Sequence, residues 1–379
     1  MKYCKRCVQP DTRPGIYFNK DGVCGACLYE DDVNQNIDWE GRENELKEIV
    51  KWAKKTTKMP YDCVIGVSGG KDSTFQALYA RDVLGMRVLL VNSEPEGISD
   101  IGSHNMENLV SLGFDTIKMR PNPTVIKKLM KRDFYKCLNP VKITEYSLWS
   151  STYIIADKFN IPLIIQGENP GLTLGVRKTG VGTNNNSLNA NKLDTLSEDW
   201  KMYVDDGLDE KDMFFYYYDR ESLDRKNIRG VWLQYYVKEW SAPHNVEFSQ
   251  SHGLKIREDF DPEDIGTYVG YYQMDSDIVQ VNQLLKYVKF GFGQCTDHAC
   301  YDIRAGRLDR EEAIELVRKY DGKCADRYIE CFCDAIGITM DEFWRVADSF
   351  RGPMWKKDAK GKWVLKNPIW KQEVRVQTI

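Results

Sequence analysis

The chain has 379 residues and a formal net charge of −4, with 53 Lys and Arg against 57 Asp and Glu. That length allows about two or three domains with a substantial core, and the acidic balance disfavours nucleic acid as a partner. No apolar run approaches the roughly 18 residues that span a bilayer, and the amino terminus, with Lys2, Lys5 and Arg6, lacks an apolar leader, so a cytoplasmic protein without a membrane partner is expected, its eleven cysteines reduced or holding metal.

Residues 1–38 read Cys4-x2-Cys7, then sixteen residues, then Cys24-x2-Cys27. Two CxxC knuckles at this spacing fit a ribbon in which four thiolates close a tetrahedron around a structural Zn2+. The segment is too small to bury a core without the metal, and Pro10, Pro14, Gly15, Gly22 and Gly25 supply its turns. A thioredoxin-like redox role competes, but neither pair opens a helix in a βαβ unit.

The next unit is expected over 39–170. Leu46, Ile49, Val50 and Ala53 stand at helical spacing in a charged connector, and the apolar run from Cys63 to Val67 reads as a strand. Directly behind it comes Ser68-Gly69-Gly70-Lys71-Asp72-Ser73. A strand feeding a glycine-rich turn into a helix is a phosphate trap: backbone N–H groups approach the anion unobstructed, and the helix adds its positive end. Lys71 brings charge, Ser68 and Ser73 bring hydroxyls, and Asp72 calls for Mg2+ between itself and phosphate. The motif is not a Walker A loop, because Asp72 follows the lysine and the glycine spacing differs.

Beyond the loop, Phe75, Leu78, Tyr79 and Val83 mark one helix face up to Gly85, followed by a strand Arg87 to Val91 and a helix carrying Met106, Leu109 and Val110. A strand around Thr116 to Met119, a helix with Val125, Ile126, Leu129 and Met130, a helix from about Thr144 to Phe159 and a strand Pro162 to Gln166 complete a βα alternation. This predicts a doubly wound parallel sheet in an α/β fold. Ligands of such sheets sit at the carboxyl ends of the strands, which makes Asn92 and Gly167 nucleotide-binding candidates and Glu168 and Asn169 substrate-binding candidates by position.

Residues 171–250 are expected to form a lid or substrate loop, from Gly171, Gly175, Gly180, Gly182 and the run Asn184 to Asn186. The aromatic runs Phe214 to Tyr218 and Val231 to Tyr236 suit either substrate stacking or core. Residues 251–379 look mainly helical, with one stripe of Val281, Leu284, Leu285 and Val288, another of Phe343, Val346 and Phe350, and capping boxes at Asp309/Glu312 and Thr339/Glu342. Between them lies Gly291 to His298, in which Asp297 orients His298 for acid–base work or the histidine simply caps a helix. Cys295, Cys300, Cys324, Cys331 and Cys333 lack CxxC spacing, and they read as buried small hydrophobes or, alternatively, a second metal or Fe–S site. Cys63 and Cys137 read as structural.

SGGKDS resembles the PP-loop of N-type ATP pyrophosphatases, whose core is adenine nucleotide alpha hydrolase-like. Together with the Cys4 ribbon, Gly167-Glu168-Asn169-Pro170, the segment Lys289 to Gly306 (KFGFGQCTDHACYDIRAG) and the helix after Asp309, it resembles the N-acetyl sugar amidotransferases of bacterial surface polysaccharide biosynthesis, the WbpG-like and PseA-like enzymes. The cysteines from Cys324 to Cys333 depart from that pattern. The resemblance implies that ATP and Mg2+ serve to adenylate the acetamido oxygen of a nucleotide sugar, releasing pyrophosphate, and that ammonia then displaces AMP to leave an acetamidino group. It implies catalytic roles for Lys71 and Asp72, with Asp297 or His298 moving protons. A diacetamido uronic acid on UDP for lipopolysaccharide O-antigen is the first expected substrate and CMP-pseudaminic acid for flagellin the second. Cys4 is neither N-terminal nor free if it holds zinc, so ammonia is expected from a separate glutaminase with a cyclase-like delivering subunit. Competing readings are a tRNA-thiolating PP-loop enzyme and a non-catalytic nucleotide-binding scaffold.

Overall fold

A computed structural model of the chain describes residues 1–176, 184–188 and 200–372. Five strands, β1 Cys63–Gly66, β2 Val88–Ser93, β3 Asp115–Met119, β4 Leu163–Gln166 and β5 Arg229–Trp232, form a parallel sheet in the order β3-β2-β1-β4-β5. Chain progress reverses between β1 and β4, which opens a crevice at their carboxyl ends.

Alternation along the strands sends side chains to two faces. Val64, Leu89, Val91 and Ile164 pack with α5 (Pro123–Cys137) and α6 (Lys142–Phe159). Cys63, Ile65, Leu90, Leu163 and Ile165 pack against α2 (Trp39–Thr56), α3 (Lys71–Leu78) and α4 (Asp100–Ser111) on the other side. The expected α/β, doubly wound parallel sheet is therefore what the chain forms.

Two departures have local causes. The helix after the loop passes into a π turn over Tyr79–Val83; the wider turn shifts the side-chain register, so Val83 points to solvent at 62% exposure instead of joining Phe75 and Leu78 in the core. The segment expected as a lid contributes β5 to the sheet, with Trp232 and Leu233 fully buried. Tyr216, Tyr218 and Tyr236 are likewise core residues. Gly180 and Gly182 of the expected lid lie outside the described residues.

After β4 come α7 (Pro170–Thr173), α8 (Arg220–Arg225), α9 (Ala242–Gln250) and α10 (Pro262–Ile265). Then α11 (Ile278–Phe290), α12 (Gln294–Arg304), α13 (Arg310–Tyr320), α14 (Asp326–Ile336) and α15 (Met340–Ser349) form the helical region, closed by a hairpin of Trp355–Lys357 and Trp363–Leu365. Asp309 and Glu312 form a complete capping box, whereas at Thr339 only the hydroxyl reaches its partner, the Glu342 N–H. Val281, Leu284, Leu285 and Val288 are buried in the same cluster as α5, and Phe134 stacks on Phe343 at 5.4 Å. The ribbon, with its helix α1 (Gly25–Gln35), packs on α12 and α13 through Cys4, Cys7 and Val8 against Ala299, Ile314 and Val317.

Candidate active site at the strand ends

The phosphate loop runs from the end of β1 to the first turn of α3. Gly69 has φ +78°, and a Cβ there would meet the Gly102 carbonyl oxygen and Asn105 Cβ, each at 3.1 Å, so no other residue fits without strain. Ser73 Oγ donates to the Gly70 carbonyl at 3.1 Å and accepts from the Ser68 N–H at 3.4 Å, bridging the loop from within. Asn92 is buried at the end of β2 and donates to the Val67 carbonyl at 2.8 Å. It steadies the loop from below.

Lys71 is only 4% exposed and donates to Asp72 at 2.6 Å. Asn245 of α9 donates to the other Asp72 oxygen at 2.7 Å, and Ser249 donates to the Lys71 carbonyl at 2.9 Å. The Lys71 ammonium also stands 4.0 Å from the Tyr272 ring centre. Three distant stretches of chain thus hold one charge pair at a helix start.

Beside this pair lies a cleft of about 350 Å3. Tyr29 and Trp39 line it from the amino-terminal helices, Glu168 from the end of β4, Trp240 from the stretch before α9, and Tyr272, Tyr301 and Arg304 from the carboxyl-terminal region. Solvent reaches Glu168 through the cleft mouth. The crowded walls and the Asp72 charge push its carboxyl up to about 7, against the pull of Lys71 and Arg304. Gly167 makes room: a Cβ there would come within 2.7 Å of Gln76 Oε1. Asn169 is fully buried, accepts from the Gly171 N–H at 2.9 Å and donates to the Asn184 carbonyl at 3.1 Å, so its side chain caps α7 and anchors a loop rather than facing the cleft.

The stretch Gly291 to His298 is a helix junction. Gly291 ends α11 in the left-handed region, and the Asp321 carboxylate caps α12 by accepting from the N–H groups of Gly293 (2.8 Å) and Thr296 (3.0 Å). Asp297 pairs with Arg13 and, at 2.7 Å, with Lys286. Burial would raise its pKa, but these two cations hold it below the usual carboxylate range. His298 turns elsewhere: its Nδ1 is 2.6 Å from Thr267 Oγ1 and its ring stacks on Tyr272 at 4.0 Å. Burial lowers its pKa to about 3. The expected orientation of His298 by Asp297 is thus replaced by Thr267, because Arg13, far away in sequence, claims the carboxylate.

Residues 265–369 match the family described as LPS biosynthesis protein WbpG-like, C-terminal domain. The match contains Lys289 to Gly306, on which the sequence resemblance rested. No curated protein sequence matches the chain. Two solved structures are similar: an NH3-dependent NAD synthetase from Campylobacter jejuni subsp. jejuni NCTC 11168 in complex with the nitrate ion, at 14% identity and TM-score 0.30, and an NMN synthetase from Francisella tularensis, at 16% and 0.29. Each covers 59% of this chain and 100% of its own. Tyr272, Tyr301 and Arg304 of the cleft wall, and His298 behind Tyr272, all belong to the WbpG-like segment; Tyr301 and Arg304 lie inside the Lys289 to Gly306 stretch but were not singled out as site residues, and Tyr272, in a bend before α11, carried no signal of its own.

The amino-terminal ribbon packs against the WbpG-like segment. Cys4, Cys7, Cys24 and Cys27 are buried with their sulfurs all within 4.8 Å of one another. Cys7 to Cys24 is 3.7 Å and Cys4 to Cys27 is 4.0 Å, near the roughly 3.8 Å edge of a tetrahedron with 2.3 Å metal–sulfur bonds. The N–H groups of Arg6 and Cys24 donate to the Cys4 sulfur at 3.4 and 3.3 Å, as thiolates require. Arg310 of α13 donates to the Cys7 carbonyl at 3.4 Å, tying the knuckle to the helical region. The later cysteines form no such cluster among the described residues. No described helix is long and apolar enough to cross a membrane.

Proposed function

We propose that the chain is an ATP-dependent amidotransferase that converts the acetamido group of a nucleotide-activated sugar into an acetamidino group, for lipopolysaccharide O-antigen synthesis. One observation carries the reading: the Lys71–Asp72 pair of the phosphate loop adjoins, through Tyr272, a cleft to whose lining the WbpG-like segment contributes Tyr272, Tyr301 and Arg304.

An amide carbon resists ammonia because its oxygen is a poor leaving group. In the proposed reaction the amide oxygen attacks the α-phosphorus of ATP, the bond to the bridging oxygen breaks, and pyrophosphate departs. Lys71 and the N–H groups of Gly69 to Lys71 stabilise the charge gathering there. Ammonia then attacks the imidate carbon, the C–O bond breaks, and AMP leaves with the oxygen, so that the product is an amidinium. Mg2+ would be held by Asp72 and Glu168, whose like charges oppose each other without a cation, and would neutralise the phosphates. Zn2+ suits the four thiolates and would hold the ribbon's shape. Ammonia would come from a separate glutaminase and a cyclase-like subunit, since Cys4 is neither N-terminal nor free if the ribbon holds zinc. Glu168 faces the substrate in this reading, while Asn92, Gly167 and Asn169 shape the site without touching it.

The test is to supply purified protein with ATP, Mg2+, ammonium and acetamido sugar nucleotides carried on UDP or CMP. Equimolar AMP, pyrophosphate and a product with O replaced by NH are expected. Formation of ADP, or pyrophosphate release that requires tRNA, would overturn the reading.

A further inference from the structure

We infer that Arg304 is the residue that reads an anionic group on the substrate, either a carboxylate on the sugar or the diphosphate of its nucleotide; this deepens the amidotransferase reading and rests on it. Arg304 closes α12 with its side chain lining the cleft. Among the described residues no carboxylate lies within ion-pair distance of it, and its hydrogen bond is a long one of 3.4 Å to the Thr173 carbonyl. A guanidinium carries five N–H donors in a rigid fork; the Thr173 carbonyl takes one, the sulfurs of Cys7, Cys27 and Cys300 lie near enough to favour the charge, and no further hydrogen bond of this fork is found among the described residues.

The neighbouring cation behaves differently. Arg307 also lines the cleft but is committed to the Asp302 carboxylate. Arg304 instead lies 5.1 Å from the Tyr301 ring, a contact that limits how the guanidinium plane turns without using its donors. Its place in the last helical turn lets the free carbonyls of α12 tolerate a cation there. Glu168 lies at the β4 end of the same cleft beside the phosphate loop, near enough for the Arg304 charge to favour its ionised form but without a direct ion pair. A planar fork matches a carboxylate or a phosphate with two parallel hydrogen bonds, which a lysine cannot reproduce.

The experiment uses the full chain, its Arg304→Lys and Arg304→Gln variants, and as a control Arg318→Gln, an exposed arginine of α13 paired with Glu315 outside the cleft. Binding of UDP and, separately, of glucuronate is measured by calorimetry without ATP, and KM for the sugar nucleotide is measured in the amidine assay. Thermal unfolding and metal content establish that each variant is folded. Both Arg304 variants should weaken one probe by roughly tenfold to a hundredfold, with Arg318→Gln within about twofold. Loss confined to UDP assigns the diphosphate, and loss confined to glucuronate assigns the carboxylate. Equal affinities in wild type and both variants overturn the inference, as does a wild type that binds neither probe. Amidine formation with KM unchanged by both variants refutes the anion site and leaves the amidotransferase reading standing. Arg304-dependent binding without amidine formation from any acetamido substrate does the reverse.

Discussion

The Lys71 ammonium and the Tyr272 ring meet at 4.0 Å, joining the phosphate loop to the WbpG-like segment through one cation–π contact. On its other side the same ammonium is held by Asp72. The space is tight enough that charge alone does not define what fits.

Lys71→Met should therefore lower pyrophosphate release by at least about a hundredfold, the usual effect of deleting a group that stabilises transition-state charge. Lys71→Arg should fail almost as badly although it keeps the charge, because a planar guanidinium does not fit between Asp72 and the ring. The check is steady-state pyrophosphate release with a melting curve on each protein. Near-normal turnover by the arginine variant would mean that the lysine is not confined as described.

Glu168 links pH to stability. Its carboxyl titrates near 7 in the folded protein against an ordinary 4.5, so between these values the folded state binds a proton that the unfolded state has lost. Stability falls as pH rises through that window. Glu168→Gln should match wild type at about pH 4 and melt higher at about pH 8, where the wild-type carboxylate is charged and opposed by Asp72. An equal melting temperature for the two proteins at the higher pH would contradict the shift.

His298 works in the opposite sense. With a folded pKa of about 3 against an ordinary 6.5, it stays neutral while the unfolded histidine gains a proton, so stability is lost as pH falls from 6.5 towards 3. His298→Gln, which retains a polar partner for Thr267, should be less acid-labile than wild type. The pH profile of kcat/KM should keep its shape near neutrality in that variant. Disappearance of an inflection between pH 5 and 8 would instead restore His298 as a proton carrier.

Removing the ribbon's metal should reach the cleft. The cysteine cluster is continuous with Ala299 and Ile314, and Tyr29 and Ala26 of α1 line the cleft wall. Chelation, or Cys27→Ser, should lower the melting temperature by several degrees and raise KM for the sugar substrate, with one metal per chain lost. Elemental analysis beside calorimetry checks this; a metal-free protein with an unchanged melting curve would contradict it.

The features that were legible are those encoded by neighbours in the chain. The strand, two glycines, Lys71 and the helix after it are one continuous stretch, and the CxxC knuckles need only their spacing. The apolar stripes of α11 and α15 repeat with the helical period. What was missed depends on long-range competition. Asp297 and His298 are adjacent, yet Arg13 takes one and Thr267 the other. Only Val231 and Trp232 of the run Val231 to Tyr236 join the sheet, in the short strand Arg229–Trp232 beside β4, and Leu233–Tyr235 turns away in a 3-10 helix; four residues that include a glycine are too few for an alternation to be read.

Taken alone, the order of residues determined that a parallel sheet forms, that an anion-binding turn follows its first strand, and that four cysteines converge. All of these arise from local backbone preference and periodic burial. Only the tertiary structure decided which side chains share the cleft. Tyr272, Tyr301 and Arg304 come to Glu168 and Lys71 through the packing of helices far apart in the chain, and such convergence leaves no periodic trace in the sequence.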